Sequence, residues 1–199
     1  KASGADIVCF SELATCGYPP RDFLEFDDFI KLSDQVIDKL RQASTDIAIV
    51  VGAPTRNPVP EGKDLDNSVF FLADGKTLAI QHKTLLPTYD IFDEYRYFEP
   101  ASEYHVVEYK GQRIALTVCE DIWNIGNENP LYTVCPLDEL IKKDPDFVIN
   151  VSHELRTPLT AIKGFVETIK EENTDTGLNH SLEIIRRHTD RLINIVTDL

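Results

Sequence analysis

The sequence predicts an α/β layered domain over residues 1–152, followed by an antiparallel two-helix hairpin over residues 153–199. Three observations carry this. Short runs rich in β-branched residues recur through the upstream part with one long amphipathic helix among them. Asp74-Gly75 and Lys110-Gly111 each sit between two of these runs, where they suit tight hairpins. After Ser152 the apolar repeat changes to alternating steps of four and three, the seam of packed helices.

The chain opens with a buried strand at Asp6–Phe10, DIVCF, and then a Gly/Pro-punctuated polar segment, SELATCGYPPRD. A helix follows, with Ile30, Val36, Ile37 and Leu40 near one face and Asp27 or Asp28 available as its cap. Strands are expected at Ile47–Val51, Ser68–Leu72, Thr77–Gln81, Val106–Tyr109 and Ile114–Val118. A short helix at Leu137–Lys142 and a buried strand at Phe147–Val151 complete the layered part. Downstream, Leu155, Leu159, Ile162, Val166 and Ile169 form one helical seam; Leu178, Leu182, Ile185, Leu192, Val196 and Leu199 form a second. The polar link NTDTG at 173–177 folds one helix back on the other. Two such helices bury both seams best by dimerising into a four-helix bundle, so a homodimer through the C-terminal helices is expected.

At 42% hydrophobic residues the chain has enough apolar matter for a packed core. No apolar run reaches the roughly 20 residues of a membrane span, and no secretory signal opens the chain. The net charge of -14, lying almost wholly upstream of the helical part, disfavours nucleic acid and anionic lipid as partners. Cys9, Cys16, Cys119 and Cys135 lack zinc-ligand spacing, so no metal is expected; reduced thiols in a cytoplasmic protein are the natural reading. The absence of an initiator Met suggests that the beginning is missing.

Three reactive residues stand at the ends of strand-like runs: Glu12 in FSEL, Lys83 in QHKTLLP and Cys119 in LTVCEDIW. Singly, each is more often a core thiol or a surface charge. Together, and with ELATCGYPPRDFL, KTLLPTYDIFDEYRYFEP and VCEDIW around them, they resemble the nitrilase, or carbon-nitrogen hydrolase, superfamily, in particular the glutaminase domains of glutamine-dependent NAD synthetases. The resemblance covers residues 1–152 and implies a partial nitrilase-like α-β-β-α sandwich. It implies a Glu-Lys-Cys triad in which Cys119 attacks a side-chain amide, Lys83 favours its thiolate, and Glu12 passes the proton to departing ammonia. Lys83 and the backbone N–H of Glu120 would hold the oxyanion. Glu94 would act as an auxiliary carboxylate, and Tyr18, Tyr89 and Trp123 would line a pocket for glutamine. No cofactor is expected. The family pattern should also continue past VINVS and carry an SGGxDS loop for dinucleotide amidation; neither is present, so truncation is expected to impair an activity limited to glutamine hydrolysis.

The downstream string VSHELRTPLTAIKG resembles the phosphoacceptor box of sensor histidine kinases, over about Phe147 to Leu199. His153 precedes Leu155 by two residues, about 200° around a helix from the seam, and so would face solvent. The resemblance makes His153 the phosphoacceptor, Glu154 the base that polarises it and Thr157 the residue that positions water for dephosphorylation. Thr157 stands where a zinc-protease helix HExxH needs its second His, so that metal motif is not met. A kinase catalytic domain acting in trans and a response regulator would be the partners. A glutaminase, a phosphorelay dimerisation module and a functionless chimera of the two are therefore the readings in play. The two signatures overlap in FVINVS, where strand is expected to about Asn150 and helix from Ser152, with Ser152 as its cap.

Overall fold

The computed structural model describes residues 4–89, 92–127 and 131–152. The hairpin expected at 153–199, with His153, Glu154 and Thr157, lies outside the described residues, as does any helix capped by Ser152.

Among the described residues, seven strands form two sheets. The first has the order β1 (Ile7–Cys9), β2 (Ala48–Arg56), β3 (Leu65–Ala73), β4 (Lys76–His82), with β1 parallel to β2 and the other pairs antiparallel. The second has the order β5 (Val106–Tyr109), β6 (Gln112–Val118), β7 (Phe147–Val151); β5 runs antiparallel to β6, and β7 parallel to it. Both predicted hairpin turns form as the sequence requires. Asp74 and Gly75 have φ of 53° and 71°, and Lys110 and Gly111 have 50° and 77°, the paired positive values of a two-residue turn whose twist matches its strands.

Strand pleating explains the core. On β2 and β3, Ala48, Val50, Val69, Phe71 and Ala73 point one way and meet Val107, Ile114, Leu116, Val118 and Val151 of the second sheet in one apolar cluster. Their neighbours Ile49, Val51, Ala53, Phe70 and Leu72 point the other way, against Ile37 of helix α1 (Asp27–Ala43). β3 is therefore covered on both faces and paired on both edges, and all nine of its residues are buried. A second cluster of Leu13, Leu24, Ile30, Leu65, Leu86 and Phe98 supports the loops that leave the strand ends.

Several elements depart from expectation in ways their neighbours explain. β1 is short and half-buried, and Phe10 after it is exposed, because β1 pairs on one side only. β7 is likewise an edge, with Phe147 and Val148 exposed, so the apolar run did not mean full burial. Helix α1 is capped by neither aspartate. Phe26 occupies the cap position with no side-chain bond, while Asp27 and Asp28 sit in the first turn, where their charge suits the helix dipole and Asp27 pairs with Arg56. Val36 stays partly exposed at the margin of the buried face. The short helix α2 spans Pro136–Ile141, starting one residue earlier than read because Pro fits the first helical turn.

Through the junction, Phe147–Val151 is strand and not the start of a helix. Its register against β6, from Ile114 opposite Phe147 to Val118 opposite Val151, fixes all five residues. Among the described residues, no helix is long and apolar enough to cross a membrane.

Candidate active site

Glu12 follows β1 in a loop pressed onto β2. The backbone of Gly52 approaches so closely that a Cβ there would lie 2.5 Å from the Leu13 nitrogen and 2.7 Å from the Glu12 Cα, so glycine is needed to seat Glu12. Leu13, next in the chain, is wholly buried with a φ of 47°, and this strained backbone turns the loop back into the second cluster. Lys83 follows β4. Its backbone N–H extends the ladder to the Asn67 carbonyl at 2.7 Å, and its side chain is wholly buried. Glu94 opens a 3-10 turn at Glu94–Arg96, on the loop that returns to Leu65.

These three side chains meet. The Lys83 Nζ donates to Glu12 Oε1 at 2.7 Å and to Glu94 Oε1 and Oε2 at 2.9 and 2.8 Å. Tyr18 donates to Glu94 Oε1 at 2.6 Å. Two carboxylates and one ammonium in a buried space leave a net negative charge when all are ionised. Burial pulls the Lys83 ammonium toward neutrality, but Glu12, Glu94 and Cys119 outweigh that and hold its pKa well above the usual lysine value. Glu94 is pushed up, first by burial and further by Glu12, against the pull of Lys83. Burial, reinforced by Glu94, also raises Tyr18, which stays a neutral phenol able to donate.

Cys119 begins a 3-10 turn, Cys119–Ile122, at the end of β6. It is buried with a φ of 48°, a strained strand-to-turn corner. The Ser152 hydroxyl reaches its Sγ at 3.6 Å, and the Asn150 amide reaches its carbonyl at 3.4 Å, so the last strand supports the corner. Asp121 is buried two residues on. Its Oδ1 accepts the backbone N–H groups of Thr84 and Leu85 at 3.0 and 2.9 Å, and its Oδ2 accepts that of Val118 at 3.1 Å. One carboxylate therefore ties the segment after Lys83 to the residue before Cys119.

The predicted pocket residues divide. Tyr89 lines a cavity of about 590 Å³ with Thr84, Leu85, Ala101, Tyr132 and Val134. Tyr18 instead lines a second cavity of about 450 Å³ with Leu13, Pro20, Glu94 and Tyr97. Phe92 bridges the two tyrosines, with ring centres 6.1 Å from Tyr18 and 5.7 Å from Tyr89. Trp123 is exposed. Glu120, named in the sequence for its backbone alone, has a buried side chain whose two oxygens accept from Tyr89 and Tyr132. Asn67, Asp121, Gly52 and the Glu120 side chain were not singled out by the sequence reading, although a glycine inside a strand pattern does signal close backbone approach.

Two facing sheets with a helix against the first, and loops gathered at their strand ends over a buried acid-base cluster, define a nitrilase-like architecture. The carbon-nitrogen hydrolase profile matches residues 1–131, more than half of the chain, and the chain belongs to that family. Glutamine-dependent NAD(+) synthetase of Synechocystis is 39% identical over 158 residues, covering 76% of this chain and 28% of that protein. The protein of that name from Acinetobacter baylyi is 33% identical over 174 residues, 87% of this chain and 30% of the relative. The chain thus spans less than a third of the length of these curated relatives. Among solved structures, glutamine-dependent NAD+ synthetase of Acinetobacter baumannii in complex with ADP gives a TM-score of 0.66 at 27% identity, covering 82% of this chain and 30% of that one. An amidase mutant from Nesterenkonia, of the nitrilase superfamily, shares the fold at a TM-score of 0.59 and 19% identity, covering 76% of this chain and 53% of that one.

The His Kinase A (phospho-acceptor) domain profile matches residues 146–199. Sensor protein kinase WalK of Staphylococcus haemolyticus is 37% identical over 71 residues, 35% of this chain and 12% of that protein.

Proposed function

We propose that residues 1–152 form a glutaminase unit that hydrolyses the side-chain amide of glutamine, the ammonia-supplying step of a glutamine-dependent NAD synthetase. The observation that carries this reading is the buried contact of Lys83 with both Glu12 and Glu94, in a chain of the carbon-nitrogen hydrolase family. In this reading Glu12 takes the thiol proton of Cys119, and the resulting thiolate is stabilised by the Lys83 ammonium. Attack on the amide carbon gives a tetrahedral oxyanion held by Lys83 and the backbone N–H of Glu120. Glu12 then protonates the departing ammonia, and activates the water that cleaves the thioester. Glu94, held by Tyr18, keeps Lys83 charged and in place. The cavity beside Tyr89 is the candidate glutamine pocket, with the Tyr89 and Tyr132 hydroxyls at its wall held by the buried Glu120 carboxylate. Ammonia release from glutamine is expected for the full chain and absent in Cys119→Ala. Equal release by the two proteins, measured with a coupled dehydrogenase assay, would rule the reading out.

A second reading is favoured by the phospho-acceptor match at 146–199: a separate unit at 153–199 that dimerises and accepts phosphate on His153, with Glu154 and Thr157 in supporting roles. Radiolabel from ATP and a kinase catalytic domain in trans is expected on the wild-type chain and lost in His153→Gln. Label retained in His153→Gln would end this reading.

A further inference from the structure

Asn67 lies on β3, on the face that its pleat shares with Val69 and Phe71, and it is wholly buried. Its Nδ2 donates to Glu12 Oε1 at 2.8 Å and to Glu94 Oε2 at 3.3 Å. Its Oδ1 is buried with no hydrogen-bond partner among the described residues. The orientation of the amide is forced. Turned over, it would set a carbonyl oxygen against two carboxylates and leave both N–H donors where Oδ1 now has no partner among the described residues. An unpaired buried carbonyl is destabilising, so packing alone does not account for an amide here; an apolar side chain of the same shape would avoid that cost.

We propose that Asn67 is a positioning residue for proton transfer at the cluster, an inference that rests on the hydrolase reading above. Oε1 of Glu12 accepts from both Lys83 and Asn67, so the two donors together fix the orientation of the carboxylate that takes the proton. The S–H bond of Cys119 breaks and an O–H bond forms on the Glu12 carboxylate. The negative charge passes from the carboxylate to the sulfur, whose partner is the Lys83 ammonium. Asn67 suits this role because it offers two donors from one atom to two carboxylates while adding no charge. Asp would add a third carboxylate to the cluster; Leu would remove both donors.

The test uses the full chain and reads three quantities in Asn67→Leu and Asn67→Asp: glutamine turnover, thermal midpoint, and the pH profile of Cys119 alkylation by iodoacetamide, followed by peptide mass spectrometry. Asn67→Leu is expected to lower kcat by ~100-fold with KM nearly unchanged, while its thermal midpoint holds or rises. Asn67→Asp, close in shape and so the control should Asn67→Leu fail to fold, is expected to shift the alkylation profile upward by about one pH unit. Unchanged kcat and an unchanged alkylation profile, with only a lower thermal midpoint, would make Asn67 a purely structural residue and overturn the proposal. If the wild type releases no ammonia yet the alkylation profile still moves in Asn67→Asp, the glutaminase reading falls and the positioning role stands. If wild-type alkylation is indifferent to Glu12→Gln, Glu12 is not the base and the proposal falls with it.

Discussion

Lys83→Met is expected to abolish glutamine hydrolysis and to cost the fold about 3–5 kcal/mol at neutral pH, the penalty for removing one partner of a buried ion pair. Methionine fills a similar volume, so the loss reads charge more than packing. Glu12 and Glu94 would then share a buried space with no cation. Lys83 is the influence holding Glu94 down against burial and the Glu12 charge; without it Glu94 moves further toward the protonated form. A carboxyl with a folded pKa above its unfolded value binds its proton more tightly in the folded state. Its contribution to stability is full below the unfolded pKa and fades as pH rises through the folded one. The deficit of Lys83→Met against wild type should therefore widen between pH 5 and pH 8. Urea denaturation across that range checks it, and adding Glu94→Gln should narrow the gap without restoring turnover. A deficit that is flat with pH would mean that the three groups do not share one field.

The parts of this fold legible in sequence are those whose signals are local. Asp74-Gly75 and Lys110-Gly111 announce hairpins because two positive φ values in succession are tolerated by few residue pairs, and both turns form there. The strands at Val106–Tyr109 and Phe147–Val151 coincide with their apolar runs. Burial was less legible. A run such as FVINV has the same composition at an edge as in the middle of a sheet, and only pairing partners decide which. The site shows the same division. Glu12 stands in one word of a family pattern and Lys83 and Glu94 in another, and the structure brings the three within hydrogen-bonding distance. Asn67 lies just before the strand expected at Ser68–Leu72, because the polar pair Asp66 and Asn67 interrupts the apolar run, although both residues are buried within the strand. Asn67 marks the point at which that face of β3 leaves the apolar core and enters the acid-base cluster, while Asp66 on the other face lies beside His82.

Asp121→Ala is expected to be nearly as damaging as Lys83→Met, though Asp121 itself is assigned no chemical step. The backbone N–H groups of Thr84, Leu85 and Val118 all end on its two oxygens. Removing the carboxylate leaves three donors unpaired where water is largely excluded. At about 1–3 kcal/mol for each unsatisfied buried group, the loss reaches several kcal/mol even with partial relaxation. The functional consequence follows from which backbone is released. Thr84 is bonded in sequence to Lys83 and Val118 to Cys119, so the carboxylate tie between the segments that carry the two residues proposed to share charge, at the ends of strands in different sheets, would be lost. A misplacement of about 1 Å between reacting groups can cost ~100-fold in rate. Asp121→Asn separates stability from positioning. Its one remaining carbonyl can serve Thr84 and Leu85 or Val118, but not both sides, so it should recover part of the stability and little of the turnover. Denaturation midpoints beside kcat for the two variants test this. Full turnover in Asp121→Asn would mean that the tie across the sheets is not what holds Lys83 and Cys119 in register.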